Sequence, residues 1–535
     1  DDFWRLDERL RSHLGLGGDV PYPFLTPEQS ASNEAALRIR AVAVVLEYID
    51  ETNPRALAGL DRITPYDPGG YLVIDSTTLR NLEVFRTLRT GDRKGSLAWA
   101  IDRTITPGGK RLLSELLAFP LLDRQKIEQR HEAVGEFAKA GLAREDLANT
   151  LKGVKDVARL SRRLAAGNPK PVDAFALGKS LGNIPALKKI LSGFRSSLIN
   201  ELNNSVDTHS ELAELIASAI DDEGCLSGKD GGYIRDGYNS ELDELRSLMH
   251  GGRDRILALQ ASEREQTGIK NLKVGFNKVF GYFIEVTKSN LAQVPDHYIR
   301  KQTLVNCERF ITQELKELES KVLGAEERAR SLEEDLFEAI VEKIREQTGA
   351  LSRTASALAM IDVLLGFARL ALERGWTRPE LSGEIEIVLK NSRHPVLEQT
   401  LIEPFIPNDV ELNASVNQMN VLTGPNMAGK STYMRQIALI VLLNQAGSFV
   451  PAESAKLGLF DRLFSRVGAT DDLALGQSTF MVEMLETAHI LHSCTPKSLV
   501  ILDEIGRGTS TFDGLAIAWS VAEYLANRPD SRPIT

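Results

Sequence analysis

Residues 419–448 read MNVLTGPNMAGKSTYMRQIALIVLLNQAGS, an apolar stretch, a glycine-bearing loop and an amphipathic run in immediate succession. Gly424, Gly429, Lys430 and Ser431 fill the spacing GxxxxGK[ST], which leaves few folds open. A strand through Val421 and Leu422 must deliver the loop to the N-terminus of a helix, and strands that alternate with helices build a parallel sheet covered on both faces. The spacing has a chemical purpose. Glycines let backbone N–H groups converge on phosphate oxygens, and the helix dipole favours their negative charge. Lys430 then reaches the β and γ phosphates and Ser431 ligates Mg²⁺.

A second segment fits the same site. Residues 498–510, SLVILDEIGRGTS, carry four consecutive apolar residues, Leu499 to Leu502, followed by Asp503 and Glu504. Such a run suits a central parallel strand whose C-terminal end, where α/β sheets bind ligands, presents the two acids. Asp503 is expected to hold Mg²⁺ through water, and Glu504 to orient and deprotonate an attacking water. Between the two motifs lies LALGQSTFMVEM, residues 473–484, in which Ser478 and Thr479 stand at the start of a helix. His489 and His492 in TAHILHS share a helical face, but no cysteine or third histidine adjoins them, so a structural role is expected.

The chain has 535 residues, too many for one core, and about 150 residues per domain suggests three or four units. With 64 Lys and Arg against 74 Asp and Glu the formal charge is -10, so the total charge does not advertise nucleic acid. Cys225, Cys307 and Cys494 lie far apart without CxxC spacing, which fits a reducing cytoplasm and neither a disulfide framework nor a zinc site. No apolar run of 18 residues and no export signal is evident.

The first 235 residues or so are mainly helical in pattern. From Ile311 a seam of Ile311, Leu315, Leu318, Val322, Ala325, Ala329, Leu332 and Leu336 predicts a long helix, with Gly324 as its weak point. A looser stripe of Leu242, Leu245, Leu248, Ile256 and Leu259 predicts an antiparallel companion. Between them LKVGFNKVFGYFIEVTKS alternates over Tyr282, Ile284 and Val286, a β insert at the tip of a helical arm. From residue 264 to 309 eight Lys or Arg face four acids, so the tip is locally about +4 on an acidic chain. An isolated basic patch is usually a solvated surface, but a basic arm tip also suits the backbone of a DNA duplex.

Together, TGPNMAGKSTYMRQ, ATDDLALGQSTFMVEM and LDEIGRGTSTFDG, in this order, resemble the MutS family of DNA mismatch-repair proteins. The resemblance extends through SRHPVLE, EPFIPND, LKVGFNKVFGYFIEVTKSN and YIRKQTLVNCERFITQELKELE to IDSTTLRNLEVF and GSLAWAIDRTITPGGKRLL, covering nearly the whole chain. It implies an α-rich core with long lever helices, a small β-rich clamp insert and a C-terminal α/β P-loop ATPase domain of ABC type. The implied segments are a connector remnant at 1–22, core and first lever helix at 23–265, DNA clamp at 266–310, second lever helix and return to the core at 311–374, and ATPase domain at 375–535.

The family further implies ATP and Mg²⁺ as cofactors. Gly424, Pro425, Asn426, Met427, Ala428, Gly429, Lys430, Ser431 and Thr432 would form the phosphate loop, with Asn426 as a catalytic contact beside Glu504. Ser431 and Asp503 would hold the metal, and Phe405 with Ile406 would pack on adenine. Ser478 would face the nucleotide of a partner subunit. Lys270, Lys273, Lys278, Lys288, Arg300 and Lys301 would meet the DNA backbone. The implied partners are mismatched double-stranded DNA, a second copy of the chain and a MutL-type repair protein, in the cytoplasm at the nucleoid. Two departures go with this. The family's mismatch-reading domain and its C-terminal switch histidine with dimer-contact segment have no counterpart in the sequence, so it reads as a fragment. GYFIE at Gly281–Glu285 superficially matches the reader motif, but its position predicts strand residues inside the insert. A DNA-holding relative that does not read mismatches and a structural chromosome-type ATPase are the alternatives.

Overall fold

A computed structural model describes residues 34–52, 68–226, 231–277, 281–425, 428–467, 479–527 and 533–535. The expected connector remnant at 1–22 lies outside them. The chain forms two compact units, one of Asp1–Arg162, Lys179–His209 and Thr348–Thr535, the other of Arg163–Gly178 with Ser210–Gln347.

In the first unit, strand β1 is Val73–Ile74. In the second unit, β2 (Lys273–Asn277), β3 (Gly281–Thr287), β4 (Ile299–Thr303) and β5 (Cys307–Ile311) form an antiparallel sheet in the order β2-β3-β5-β4. The helix Ser240–Thr267 leads into this sheet and the helix Gln313–Glu346 leads out. Asn239 caps the first by accepting from the Leu242 N–H, and left-handed Gly268 (φ 73°) ends it. Thr312 caps the second by accepting from the Leu315 N–H at 3.2 Å, so Ile311, expected to open the seam, is instead the last residue of β5. The second helix runs through Gly324 unbroken for about 51 Å at 1.5 Å per residue.

The two helices lie side by side, antiparallel. Ile256 and Leu259 share one buried cluster with Leu315 and Val322, while Arg246 meets Glu333 nearer the other end. Two seam expectations are corrected. After Ala329 the buried positions are Glu333, Phe337, Ile340, Val341 and Ile344, and Leu332 and Leu336 are only half buried. An α-helix of 3.6 residues per turn drifts about 20° per heptad against a 3.5 repeat, which carries the inward face to the next position. Leu248 on the companion helix is 64% exposed. The buried Glu333 carboxylate receives Arg246 Nη2 at 2.5 Å and the N–H groups of Gly232 and Ile234, which offsets its desolvation.

In the first unit, β10 (Arg462–Arg466) pairs in parallel with β1 on one side and with β11 (Ser498–Leu502) on the other, and Ile534 bridges to Leu499, also parallel. Leu499, Val500 and Ile501 are all buried, as expected for a strand covered on both faces. Phe464 and Val500 cluster with Ile490 and Cys494 of the helix Thr479–Ser493 and with Val521 and Leu525 of the helix Thr511–Asn527. The helix Lys430–Ala446 packs on β11 and is buried all round from Gln436 to Ala446. A second sheet, in the order β6-β9-β7-β8, comprises β6 (Glu380–Leu381), β7 (Glu386–Ser392), β8 (Asn408–Asn413) and β9 (Ser454–Leu457).

The expected strand at Val421 and Leu422 does not form. Thr535 bonds both Gln418 and Asn420, but no ladder continues past them, and Val421 is 77% exposed. The helix Thr348–Arg374 is long and apolar enough to cross a membrane, although the sequence reading found no such run. It is a core helix, with 72% of its most apolar window buried within the protein. Its Asp362 carboxylate, fully buried, accepts from the N–H groups of Ile105 and Thr106 and from Thr106 Oγ1, which fixes the start of the helix Pro107–Ala118.

Candidate functional site

The glycine loop ends on Gly429, whose left-handed backbone (φ 95°) turns the chain into the helix that begins at Lys430. Gly424 is likewise at positive φ (148°), which only glycine adopts without strain. Lys430 folds back over the loop, its Nζ donating to the carbonyls of Gly424 at 2.8 Å and Pro425 at 3.0 Å. Gly424, Pro425, Ala428 and Gly429 are exposed, while Lys430, Ser431 and Thr432 are half buried. Asn426, Met427 and Ser478 lie outside the described residues.

Ser431 Oγ donates to Asp503 Oδ2 at 2.5 Å across 72 residues of sequence. Strand β11 carries Asp503 to this point, and the Asp503 N–H is held by the Arg466 carbonyl at the end of β10, 2.7 Å away. The two oxygens are close enough to share one cation's coordination sphere, and a hydroxyl with a carboxylate is the hard donor set Mg²⁺ prefers. Glu504 follows in the left-handed region (φ 51°), a conformation that costs a non-glycine residue about 1–3 kcal/mol and persists only when its surroundings dictate it. Its carboxylate accepts from Arg507 Nη1 at 2.6 Å.

Phe405 is half buried and Ile406 is 81% exposed, just before β8. Tyr433, in the first turn of the loop helix, donates its hydroxyl to the Asp409 carbonyl at 3.1 Å. The 405–409 segment is therefore tied to the glycine-loop end of the molecule. Deeper in, Gln436 donates to Ser392 Oγ at 2.7 Å, and Ser392 in turn bonds the Asn408 carbonyl. Beside it, burial and then the Arg435 charge push the His394 imidazole down to about 4.

The sequence reading missed Glu483. It is 4% exposed on the helix Thr479–Ser493, and its Oε1 accepts from the Gly506 N–H at 2.5 Å, inside the turn that carries Asp503 and Glu504. A carboxylate among the apolar residues of FMVEML was the available signal. On the same helix His489 stacks edge-on to Phe464 and His492 bonds the Ala488 carbonyl, and no metal-binding cluster is found among the described residues.

Three of the basic candidates lie on the small sheet of the other unit, while Lys270 sits in the turn before it and Lys288 opens the short helix Lys288–Gln293. Lys273 is on the edge strand β2, Arg300 and Lys301 are on the opposite edge strand β4, and all three are exposed, as are Lys270 and Lys288. Lys278 lies outside the described residues. Arg300 Nε is engaged by Glu308 at 2.9 Å, and Arg309, part of the charge count, instead stacks on Phe283 and pairs with Glu285. Gly281–Glu285 are residues of β3, with Phe283 and Ile284 buried. The sheet is fixed to the helix ends by Ile269, Leu272, Val286, Tyr298 and Phe310, and by Tyr298 Oη donating to Glu263 at 2.7 Å.

Two family models and many relatives match this chain. Residues 77–368 match the model of MutS domain III and residues 420–534 that of MutS domain V. The DNA mismatch repair protein MutS of Acetivibrio thermocellus is 48% identical over 503 residues, which are 94% of this chain and 58% of that protein. Those of Symbiobacterium thermophilum and Myxococcus xanthus are each 49% identical, over 91% and 94% of this chain and 56% and 57% of their own lengths. The chain thus spans somewhat over half the length of these relatives. With more than half of its residues matched by one domain of the family and a second domain matched after it, the chain belongs to the MutS family.

Proposed function

We propose that this chain is the core, clamp and ATPase portion of a DNA mismatch-repair protein that acts as a homodimeric, ATP-switched clamp on mismatched duplex DNA and hands on to a MutL-type partner in the cytoplasm. The observation that carries the reading is the meeting of Ser431 with Asp503 at the N-terminus of the glycine-loop helix. ATP would sit on the loop from Gly424 to Thr432, with Asn426 beside its phosphates and Phe405 and Ile406 against the base. Ser431 and Asp503 would hold Mg²⁺, which on binding neutralises phosphate charge. Lys430 would exchange its two loop carbonyls for phosphate oxygens, and Glu504 would take the proton of the attacking water.

Ser478, the residue before the helix Thr479–Ser493 in sequence, would contact the γ-phosphate held by a second copy, as arginine fingers do in other NTPases. DNA would lie against Lys270, Lys273, Lys278, Lys288, Arg300 and Lys301. The paired Arg300 would contribute less, because its charge is already met by Glu308.

Three measurements test this. Glu504→Gln should retain ATP while turnover falls by about 100-fold or more; normal turnover would sink the hydrolytic assignment. Mixing Ser478→Ala with Lys430→Ala chains should restore turnover if the serine works in trans, since one site of the mixed dimer is then intact. No recovery would refute it. Equal affinity for matched and mismatched duplexes would favour a DNA-holding relative that reads no mismatch.

A further inference from the structure

We propose that Glu483 is a positioning residue for hydrolysis, holding the turn that carries Asp503 and Glu504 so that movement of the helix Thr479–Ser493 reaches Glu504 of the same chain. The proposal rests on the ATPase reading above and concerns how that site is regulated.

The helix grips the turn at two points. Glu483 Oε1 receives the Gly506 N–H at 2.5 Å from a side chain that is 4% exposed. One turn further along, Glu486 Oε2 lies 2.9 Å from Nε of the buried Arg466, whose carbonyl receives the Asp503 N–H. Packing leaves the turn little freedom elsewhere. Gly506 has φ +84°, and a Cβ there would come within 2.5 Å of the Gly514 carbonyl oxygen. At Gly508 a Cβ would lie 3.0 Å from Phe480 Cβ, on the same helix as Glu483.

The consequence falls on Glu504. A glutamate at φ +51° keeps that backbone only while its neighbours over-determine it, and Gly506, two residues on, is the point at which the helix takes hold. A buried N–H losing its acceptor is costly, so the turn would move to re-satisfy Gly506 and carry Glu504 with it. Displacement of a catalytic group by about 1 Å can cost about 100-fold in rate. A helix whose N-terminal end would meet the partner's nucleotide is thereby coupled to water activation in its own subunit.

The test compares Glu483→Ala and Glu483→Gln in the full protein, by steady-state ATP turnover and by binding of a fluorescent ATP analogue. Glu483→Ala is expected to lower kcat by about 10- to 100-fold with KM and analogue Kd within about 2-fold of wild type. Glu483→Gln keeps an oxygen that accepts the Gly506 N–H and is expected to recover kcat to within about 3-fold of wild type. Wild-type kcat in Glu483→Ala, or no recovery in a folded Glu483→Gln, overturns the proposal. If Glu483→Ala does not fold, Glu483→Asp withdraws the acceptor by one methylene and should show the same selective loss of kcat. A wild-type kcat there overturns the proposal equally. Failure of the underlying reading is separately visible, because wild-type protein would then hydrolyse no ATP or Glu504→Gln would leave turnover unchanged.

Discussion

Gly109 and Asp362 should be energetically coupled, although 253 residues separate them in sequence. A Cβ on Gly109 would stand 2.2 Å from Asp362 Oδ2 and 2.8 Å from its Cγ, an approach no real pair of atoms tolerates. The carboxylate cannot step aside freely. It is fully buried and accepts from Ile105 N at 2.9 Å, Thr106 N at 2.7 Å and Thr106 Oγ1 at 2.7 Å. Thr106 Oγ1 in turn accepts the Gly109 N–H as the cap of the helix Pro107–Ala118. Asp362→Ala strands the buried Thr106 N–H and the partly buried Ile105 N–H at about 1–3 kcal/mol each, offset in part because burial already pushes the carboxyl up and the charge need no longer be held; the expected loss is about 3 kcal/mol. Gly109→Ala must break the same bonds or overpack the site, again about 3 kcal/mol. In the double variant, of the three nearest approaches only that to Cβ of residue 362, at 3.0 Å, remains, so adding Gly109→Ala to Asp362→Ala should cost about 1 kcal/mol or less. Urea unfolding of the four proteins at pH 7 measures the cycle. Costs that add to within about 0.5 kcal/mol would refute the reasoning, since independent sites behave that way.

Acidification should destabilise the fold through two buried histidines. Burial lowers His394 to about 4 and His131 to about 3, against 6.5 in the unfolded chain. For each, the unfolded state binds a proton that the folded state refuses, so the contribution is complete above about 6.5 and is lost as pH falls toward the folded values. At pH 5 each should have forfeited about 2 kcal/mol, and the fall in Tm from pH 7 to pH 5 should shrink in His394→Asn. Around the basic sheet, replacing Lys270, Lys288 and Lys301 with Gln should reduce the slope of log affinity for duplex DNA against log salt by about 3, if all three meet phosphates. An unchanged slope would remove them from the interface. Glu333→Ala should cost about 3 kcal/mol by removing the buried carboxylate that faces Arg246 and leaving the Gly232 and Ile234 N–H groups short of an acceptor, and Glu333→Gln less, since its amide oxygen still accepts. Thermal unfolding distinguishes the two.

Much of this was legible in the residues. The run Leu499–Leu502 ending in Asp503 and Glu504 marks a buried parallel strand, because only a strand covered on both faces can be apolar at every position. The alternation of Tyr282, Ile284 and Val286 marks β3, and Pro107 behind Thr106 marks a helix start, since a capping hydroxyl and a proline suit the first turn. Periodicity and local chemistry are properties of neighbouring residues, and sequence displays neighbours directly. It also displays the GxxxxGK[ST] spacing, because the glycines, lysine and serine fall within eight consecutive residues, Gly424 to Ser431.

What only the tertiary structure decided are the pairings between distant residues. Ser431 reaches Asp503 across 72 positions, Gly506 reaches Glu483 across 23, and Asp362 reaches Thr106 across 256. No period or motif encodes such distances, since they depend on how strands and helices stack. Packing also set which side of a long helix turns inward. Glu333, an acid the seam would leave in solvent, is buried beside Arg246, while Leu248 is left outside. The sequence determined most of the elements, though not the strand expected at Val421 and Leu422, and the chemistry each can carry. The packing of those elements selected the partner for each polar group, because a buried charge or N–H persists only where the fold supplies a partner for it.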